Sequence, residues 1–278
     1  MGVVNSDIHE TTLEALRRLP DSDLDGLSDE AAYWYGYQNQ IRRDLLNCNL
    51  EGFLRGTRIE GTMAPRNAPR FDHEFTVLRE QPDWFSRWRP ATREVPVGNP
   101  VPHIYDKGTS PNVIHQAYQL LQFELTTERQ IEDLQFIFEF GGGYGCLCRI
   151  AHELGFQGRY IIYDLPVLSL LQRYYLGTVG LGAVELVSEL PLLEVLLEQI
   201  PRESLFIAIW SLCEVDMPLR MEIERLVAGF RMFLLAYHRS MLDIDNIAYF
   251  DGFARRYDHD WTKWRVEHLR AHYYLIGR

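Results

Sequence analysis

The chain has 278 residues, 46% hydrophobic and 24% charged, enough for a sizeable core in one or two domains and too apolar for a disordered or collagen-like chain. Its 28 basic and 39 acidic residues leave a formal charge of −11, which argues against a broad nucleic-acid or anionic-membrane surface. Four cysteines without metal spacing give neither a disulfide framework nor a zinc signature, and with no apolar leader in 1–19 and no run near ~18 apolar residues, a cytoplasmic protein is expected.

The amino-terminal part reads as helices over Asp7–Leu19 and Asp29–Cys48. From Thr62 to Pro111 the chain is rich in Arg and aromatics, and Pro65, Pro69, Pro82, Pro90, Pro96, Pro100, Pro102 and Pro111 break any long element there. Within that stretch, Trp84–Pro90 reads as a carbohydrate platform, a packed loop or a subunit contact. The aromatic run Ala31–Tyr37 is equally consistent with core packing and yields no site residue. A helix over Asn112–Glu128 follows, with Ser110 as its cap, Pro111 at its first position, and Ile114, Ala117, Tyr118, Leu121 and Leu125 on one face.

Beyond residue 130 short apolar runs alternate with helical patterns, as in a parallel sheet with crossover helices. The strands expected are Leu134–Phe140, Tyr160–Tyr163, Ala183–Val187, Leu205–Trp210 and Met232–Tyr237. Helices are expected at Tyr144–Leu154, Pro166–Leu176, Leu192–Gln199, Pro218–Gly229 and Ile247–Tyr257, and the tail reads as a hairpin of Thr262–Glu267 and His272–Gly277. The division is thus 1–128, a helical and irregular cover that contributes to a substrate cleft or a homodimer, and 129–278, a ligand-binding α/β domain.

The most informative segment is Glu139-Phe140-Gly141-Gly142-Gly143-Tyr144-Gly145, between the first of these strands and its helix. Glycines there permit positive φ and close backbone approach, beside the unpaired N–H groups of a helix start. The dinucleotide fingerprint fails, because its third glycine falls on Cys146 or Cys148, and no lysine follows for a phosphate loop. Further on, Asp164 ends the second strand, where a carboxylate accepts two hydrogen bonds from a ribose diol. Acid, glycine turn and second acid fit an adenosyl ligand without pyrophosphate, namely S-adenosylmethionine.

These residues, with Tyr160–Pro166 and Leu171–Leu176, resemble class I S-adenosylmethionine-dependent methyltransferases. More narrowly, with Val97–Pro100, Trp210–Glu214 and Tyr273–Gly277, they are similar to the bacterial sugar O-methyltransferases of glycosylated natural products and surface polysaccharides. The resemblance covers about the last two thirds of the chain. It implies a Rossmann-like seven-stranded sheet with its last strand antiparallel, Glu139, Gly141, Gly143 and Gly145 on the methionine portion, and Asp164 on the ribose. Gly142, Tyr144, Leu165, Trp210 and Ser211 complete the cofactor-binding set. The chain departs from those relatives at Cys146, where they usually continue with glycine, and at Trp210-Ser211, where they often carry His-Ser.

A sugar hydroxyl needs a base for methyl transfer, and candidates sit just after the fourth and fifth strands. Glu214 and His238 fill these places, one as base and the other positioning the acceptor, with Asp216 as a third candidate. The acidic runs Asp243–Asn246 and Asp258–Asp260 lack calcium-loop spacing and read as solvated turns or caps, and His268 and His272 read as non-ligands, so no metal residue is named, although a divalent ion is compatible with this chemistry. The expectation is an enzyme methylating a hydroxyl of a sugar or glycosylated metabolite, with no nucleic-acid or membrane partner. Methylation of a phenolic or polyketide hydroxyl, or a non-catalytic S-adenosylmethionine-binding subunit, are the alternatives.

Overall fold

The structure is a computed structural model that describes residues 6–64 and 69–278; Pro65 lies outside them. The amino-terminal part holds α1 (Ser6–Arg18), α2 (Asp29–Cys48), α3 (Arg58–Thr62), α4 (Pro69–Arg79), a π turn over Trp84–Trp88, α5 (Arg89–Ala91) and α6 (Pro111–Thr127). The stretch after Thr62 is therefore more helical than its prolines suggest. Pro69 opens α4 and Pro90 lies in the first turn of α5, where a missing N–H costs no helical bond, so these prolines start helices instead of breaking them.

Ser110 caps α6 as expected, accepting from the Val113 N–H at 3.2 Å, with Pro111 at the first helical position. Leu125, expected on the buried face, is 56% exposed, whereas Asn112, His115 and Gln119 are buried. The reason is that α6 packs against α4 and other elements at once, so burial extends beyond one apolar stripe.

The second half runs β1 (Phe136–Phe140), α7 (Cys146–Glu153), β2 (Arg159–Tyr163), α8 (Pro166–Thr178), β3 (Glu185–Val187), α9 (Leu190–Leu196), β4 (Ser204–Ile209), α10 (Met217–Val227), β5 (Met232–His238), β6 (Ser240–Met241), β7 (Ile244–Asp245), α11 (Asn246–Arg256), β8 (Trp261–Arg265) and β9 (His272–Gly277). The seven-stranded sheet has the order β3-β2-β1-β4-β5-β9-β8, with β1 to β5 parallel and β9 antiparallel to both its neighbours. This is the doubly wound, Rossmann-like arrangement. The separate β6–β7 hairpin is not foreseen from sequence; its last residue, Asp245, caps α11, accepting from the Ile247 and Ala248 N–H groups at 2.9 and 3.2 Å.

Side chains alternate across β1. Ile137 joins one apolar cluster with α1, α2, α6, α7 and α8, while Phe136, Phe138 and Phe140 join another with α9, α10 and α11. The cover and the sheet thus share one core. Trp84 and Trp88 belong to it at 5% and 1% exposure, and Arg87 bonds both Glu124 oxygens, which makes this segment a packed turn.

The loop after β4 is fixed by Arg220 on α10, which is fully buried. It donates to the carbonyls of Val215 (2.8 Å) and Cys213 (2.6 Å) and to Asn246 Oδ1 (2.7 Å), and lies over the Tyr249 ring. Arg220→Met strands these acceptors, and at about 1 kcal/mol or more per lost bond should lower unfolding stability by about 3 kcal/mol, read as a reduced urea midpoint at unchanged slope.

Candidate active site

The sheet order reverses between β1 and β4, so their crossover helices diverge and a crevice opens above the strands' carboxyl ends. Here lies a cavity of about 1150 Å³, more than a single drug-sized ligand usually needs. Glu139, Gly141, Gly142, Gly143, Tyr144, Asp164, Leu165, Trp210, Ser211, Glu214, Asp216 and His238 all line it. Gly145, the tenth residue of the expected cofactor set, stands behind the wall and caps α7 with φ 93°.

The turn after β1 needs its glycines for space as well as for φ. A Cβ on Gly141, whose φ is 77°, would overlap Ser211, and one on Gly142 would come within 2.6 Å of Ile162 Cγ2. Ser211 donates its hydroxyl to the Phe140 carbonyl, locking the ends of β1 and β4 together. Trp210 makes this possible by leaving β4 with a left-handed φ of 55°, its N–H donating to the Ala236 carbonyl at 2.7 Å. Left-handed geometry in a bulky residue costs about 1–3 kcal/mol and persists only where its surroundings enforce it.

Two buried carboxylates face this turn. Asp164 accepts from the N–H groups of Gly143 (2.9 Å) and Leu165 (2.8 Å) and from the Gln172 amide (3.0 Å). Glu139 accepts from the Tyr160 hydroxyl at 2.7 Å, its one protein donor among the described residues. Burial pushes both carboxyls up to about 7, offset in part by these donors. Buried acids with spare acceptor capacity, beside a backbone turn open to the cavity, fit the hydroxyl and ammonium groups of an adenosyl amino acid.

At the other end, His238 Nε2 lies 3.0 Å from Glu214 Oε1 and its Nδ1 lies 2.9 Å from the Ser240 carbonyl. Both ring nitrogens thus face oxygen acceptors, and the second Glu214 oxygen remains for another partner. The ligand atoms of Cys213, Glu214 and His238 lie within 4.8 Å of one another. Burial and the Glu214 charge raise the Cys213 thiol, however, which opposes the thiolate a metal would need.

Sequence reasoning missed several lining residues. Tyr33, Trp34 and Tyr35 of α2 border the cavity; Trp34 Nε1 donates to the Glu214 carbonyl at 3.0 Å, and Ser28 donates to Asp216 at 2.9 Å. Asn112, His115 and Gln116 of α6 also line it, as do His268 and His272, which read as non-ligands from sequence. The polar residues Asn112, His115 and Gln116, grouped in the first half of α6, were the available signal there. The fully buried Glu74, bonded to His115 and His268, carried none.

No protein-family model and no curated protein sequence matches the chain. Among solved structures it is similar to the mitomycin 7-O-methyltransferase MmcR, at 14% identity over 98% of this chain and 92% of that one, with a TM-score of 0.41. It is also similar to fibrillarin from Aeropyrum pernix with natively bound S-adenosyl-L-methionine (10% identity, 58% and 73% covered, TM-score 0.44). A third is precorrin-6y C5,15-methyltransferase from Geobacter metallireducens (16% identity, 61% and 88% covered, TM-score 0.41).

The raised carboxyls have a thermodynamic signature. A folded-state value near 7 for Glu139 means that the folded chain keeps a proton that the unfolded chain releases above about 4.5, so the associated stability is present below that pH and lost as pH rises through about 7. The urea midpoint of the unliganded protein should therefore fall between about pH 5 and 8 more steeply for the natural chain than for Glu139→Gln. Equal slopes would mean that Glu139 titrates as an ordinary carboxylate.

Proposed function

We propose that the chain is an S-adenosylmethionine-dependent O-methyltransferase acting on a hydroxyl of a small acceptor, a sugar or glycosylated metabolite. The observation that carries this reading is the continuity of one cavity from the Gly141–Gly143 turn and Asp164 to the Glu214–His238 pair.

When bound, S-adenosylmethionine supplies a methyl group made electrophilic by its sulfonium. Asp164 accepts the ribose hydroxyls, Glu139 and the glycine turn hold the amino-acid portion, and Leu165, Tyr144 and Ser211 shape the walls. On the acceptor side the free oxygen of Glu214 receives an acceptor hydroxyl, while His238, anchored at both nitrogens, fixes that carboxylate. The aromatic border Tyr33, Trp34 and Tyr35 offers ring faces to a sugar or a phenol, and residues 1–128 act as the cover of the cleft. The Tyr33 and Tyr35 rings, 51% and 36% exposed, favour the sugar reading over an all-apolar acceptor only through the polar Glu214–His238 pair beside them.

Incubation with methyl-labelled S-adenosylmethionine and a panel of nucleotide sugars, glycosides and phenols, with and without magnesium, tests this directly. Label should enter a sugar hydroxyl without added metal. With that acceptor, Glu214→Gln should lower kcat/KM roughly ten- to a hundredfold, the worth of one charged hydrogen bond, mainly through KM. Asp164→Ala should weaken S-adenosylhomocysteine binding by a similar factor of about ten to a hundred, measured by calorimetry. Exclusive labelling of phenols would replace the sugar assignment.

A further inference from the structure

Glu74 on α4 is fully buried, and no Arg or Lys among the described residues pairs with it. Two imidazoles flank it instead. His115 Nδ1, from α6, lies 2.9 Å from each of its oxygens, and His268 Nε2, from the turn between β8 and β9, lies 2.8 Å from Oε1. Burial raises the Glu74 carboxyl, but the two histidines outweigh it and the net direction is downward, toward a carboxylate. An ionised carboxylate enclosed this way stabilises positive charge on the rings beside it.

The His115 ring is held on several sides. Trp210 stacks on it with centroids 4.9 Å apart and planes 11° apart, and Phe71 meets it edge-on at 5.2 Å. The Gln119 amide approaches Nδ1 at 3.4 Å but donates to the His115 carbonyl at 3.2 Å. With Nδ1 directed at a carboxylate, that nitrogen carries the hydrogen and Nε2 keeps the lone pair. Nε2 has no protein partner among the described residues, in a side chain that lines the cavity.

His115 is also tied to the glycine turn by two short routes. One helical turn before it, Asn112 donates to the Tyr144 hydroxyl at 2.6 Å. Trp210, stacked on its ring, is followed by Ser211, whose hydroxyl bonds the last carbonyl of β1. The Trp210 indole N–H is buried and without a protein acceptor, a further sign that this wall is completed by a ligand. His238, by contrast, has both ring nitrogens against protein oxygens, the Ser240 carbonyl and Glu214 Oε1, so neither is left open toward an acceptor hydroxyl.

We propose that His115 is the residue that takes the acceptor's proton, with Glu74 as its positioning partner. The inference rests on the O-methyl-transfer reading and assigns its base. The hydroxyl oxygen forms a bond to the methyl carbon, the carbon–sulfur bond breaks with its electron pair going to sulfur, and the hydroxyl proton passes to His115 Nε2. The resulting imidazolium is neutralised by Glu74 through Nδ1–H and returns its proton to water after the products leave. Glu214 holds a neighbouring acceptor hydroxyl meanwhile.

The test has two arms. Nitrogen-15 histidine NMR of the unliganded protein above neutral pH, with the His115 signals identified by their loss in His115→Gln, should show the Nδ1–H form, and Glu74→Gln should abolish that preference. An Nε2–H form in the natural chain overturns the proposal. In the second arm, with the acceptor found by the panel, His115→Gln and His115→Asn should lower kcat roughly a hundred- to ten-thousandfold, the span of lost general-base catalysis. Acceptor KM and S-adenosylhomocysteine affinity should stay within about threefold, the latter also showing that the variants fold. Turnover by either folded variant within threefold of the natural chain overturns the assignment while leaving the proposed function standing. Absence of turnover by the natural chain on every acceptor overturns the function itself, and this inference with it.

Discussion

The reversal of strand order between β1 and β4 is the constraint on which the rest of the molecule depends. A right-handed crossover leaving β1 toward β2 and another leaving β4 toward β5 place their helices on opposite faces, so no helix caps the strand ends between them. The chain fills that opening with backbone that ordinary residues do not adopt readily. Gly141 and Gly143 take left-handed conformations on one side and Trp210 on the other, and the Ser211 hydroxyl bonds across to Phe140.

The amino-terminal part is best understood as a response to the same opening. Helix α6 crosses beside the turn, buried on most sides, and brings Asn112, His115 and Gln116 to the crevice. Helix α4 supplies Glu74 behind His115, and α2 supplies an aromatic border bonded to the loop after β4. The Trp34–Glu214 and Glu74–His268 contacts cross between the amino-terminal part and the sheet half, which share one core. Charge is distributed accordingly: the buried carboxylates Glu139 and Asp164 lie at the ends of β1 and β2, and the His238–Glu214 pair lies at the ends of β4 and β5.

Much of the sheet half was legible in the sequence because its signals are local. Apolar runs of strand length, Pro166 at a helix start, and Glu139 and Asp164 at strand ends are each a property of a few neighbouring residues, and the observed β1, β2, β4, β5 and β9 fall within or beside the expected segments. The seven-stranded sheet with its last strand antiparallel followed from the resemblance to a known fold, whereas the strand order is a finding of the structure. The helices after Thr62 are not legible in the sequence because a proline reads alike whether it breaks a helix or begins one, and only packing decides for Pro69 and Pro90. The His115–Glu74–His268 cluster was illegible for another reason. Its members lie on α4, α6 and the β8–β9 turn, and a hydrogen bond between residues 74 and 268 leaves no trace in local spacing.

A crystal structure with S-adenosylhomocysteine bound is the most direct test. Ribose hydroxyls are expected on Asp164, the amino-acid portion on Glu139 and the Gly141–Gly143 turn, and the sulfur facing the part of the cavity that Trp210, His115 and Glu214 enclose. A ligand bound elsewhere, or one whose sulfur is separated from His115 and Glu214 by the Trp210 wall, would contradict it.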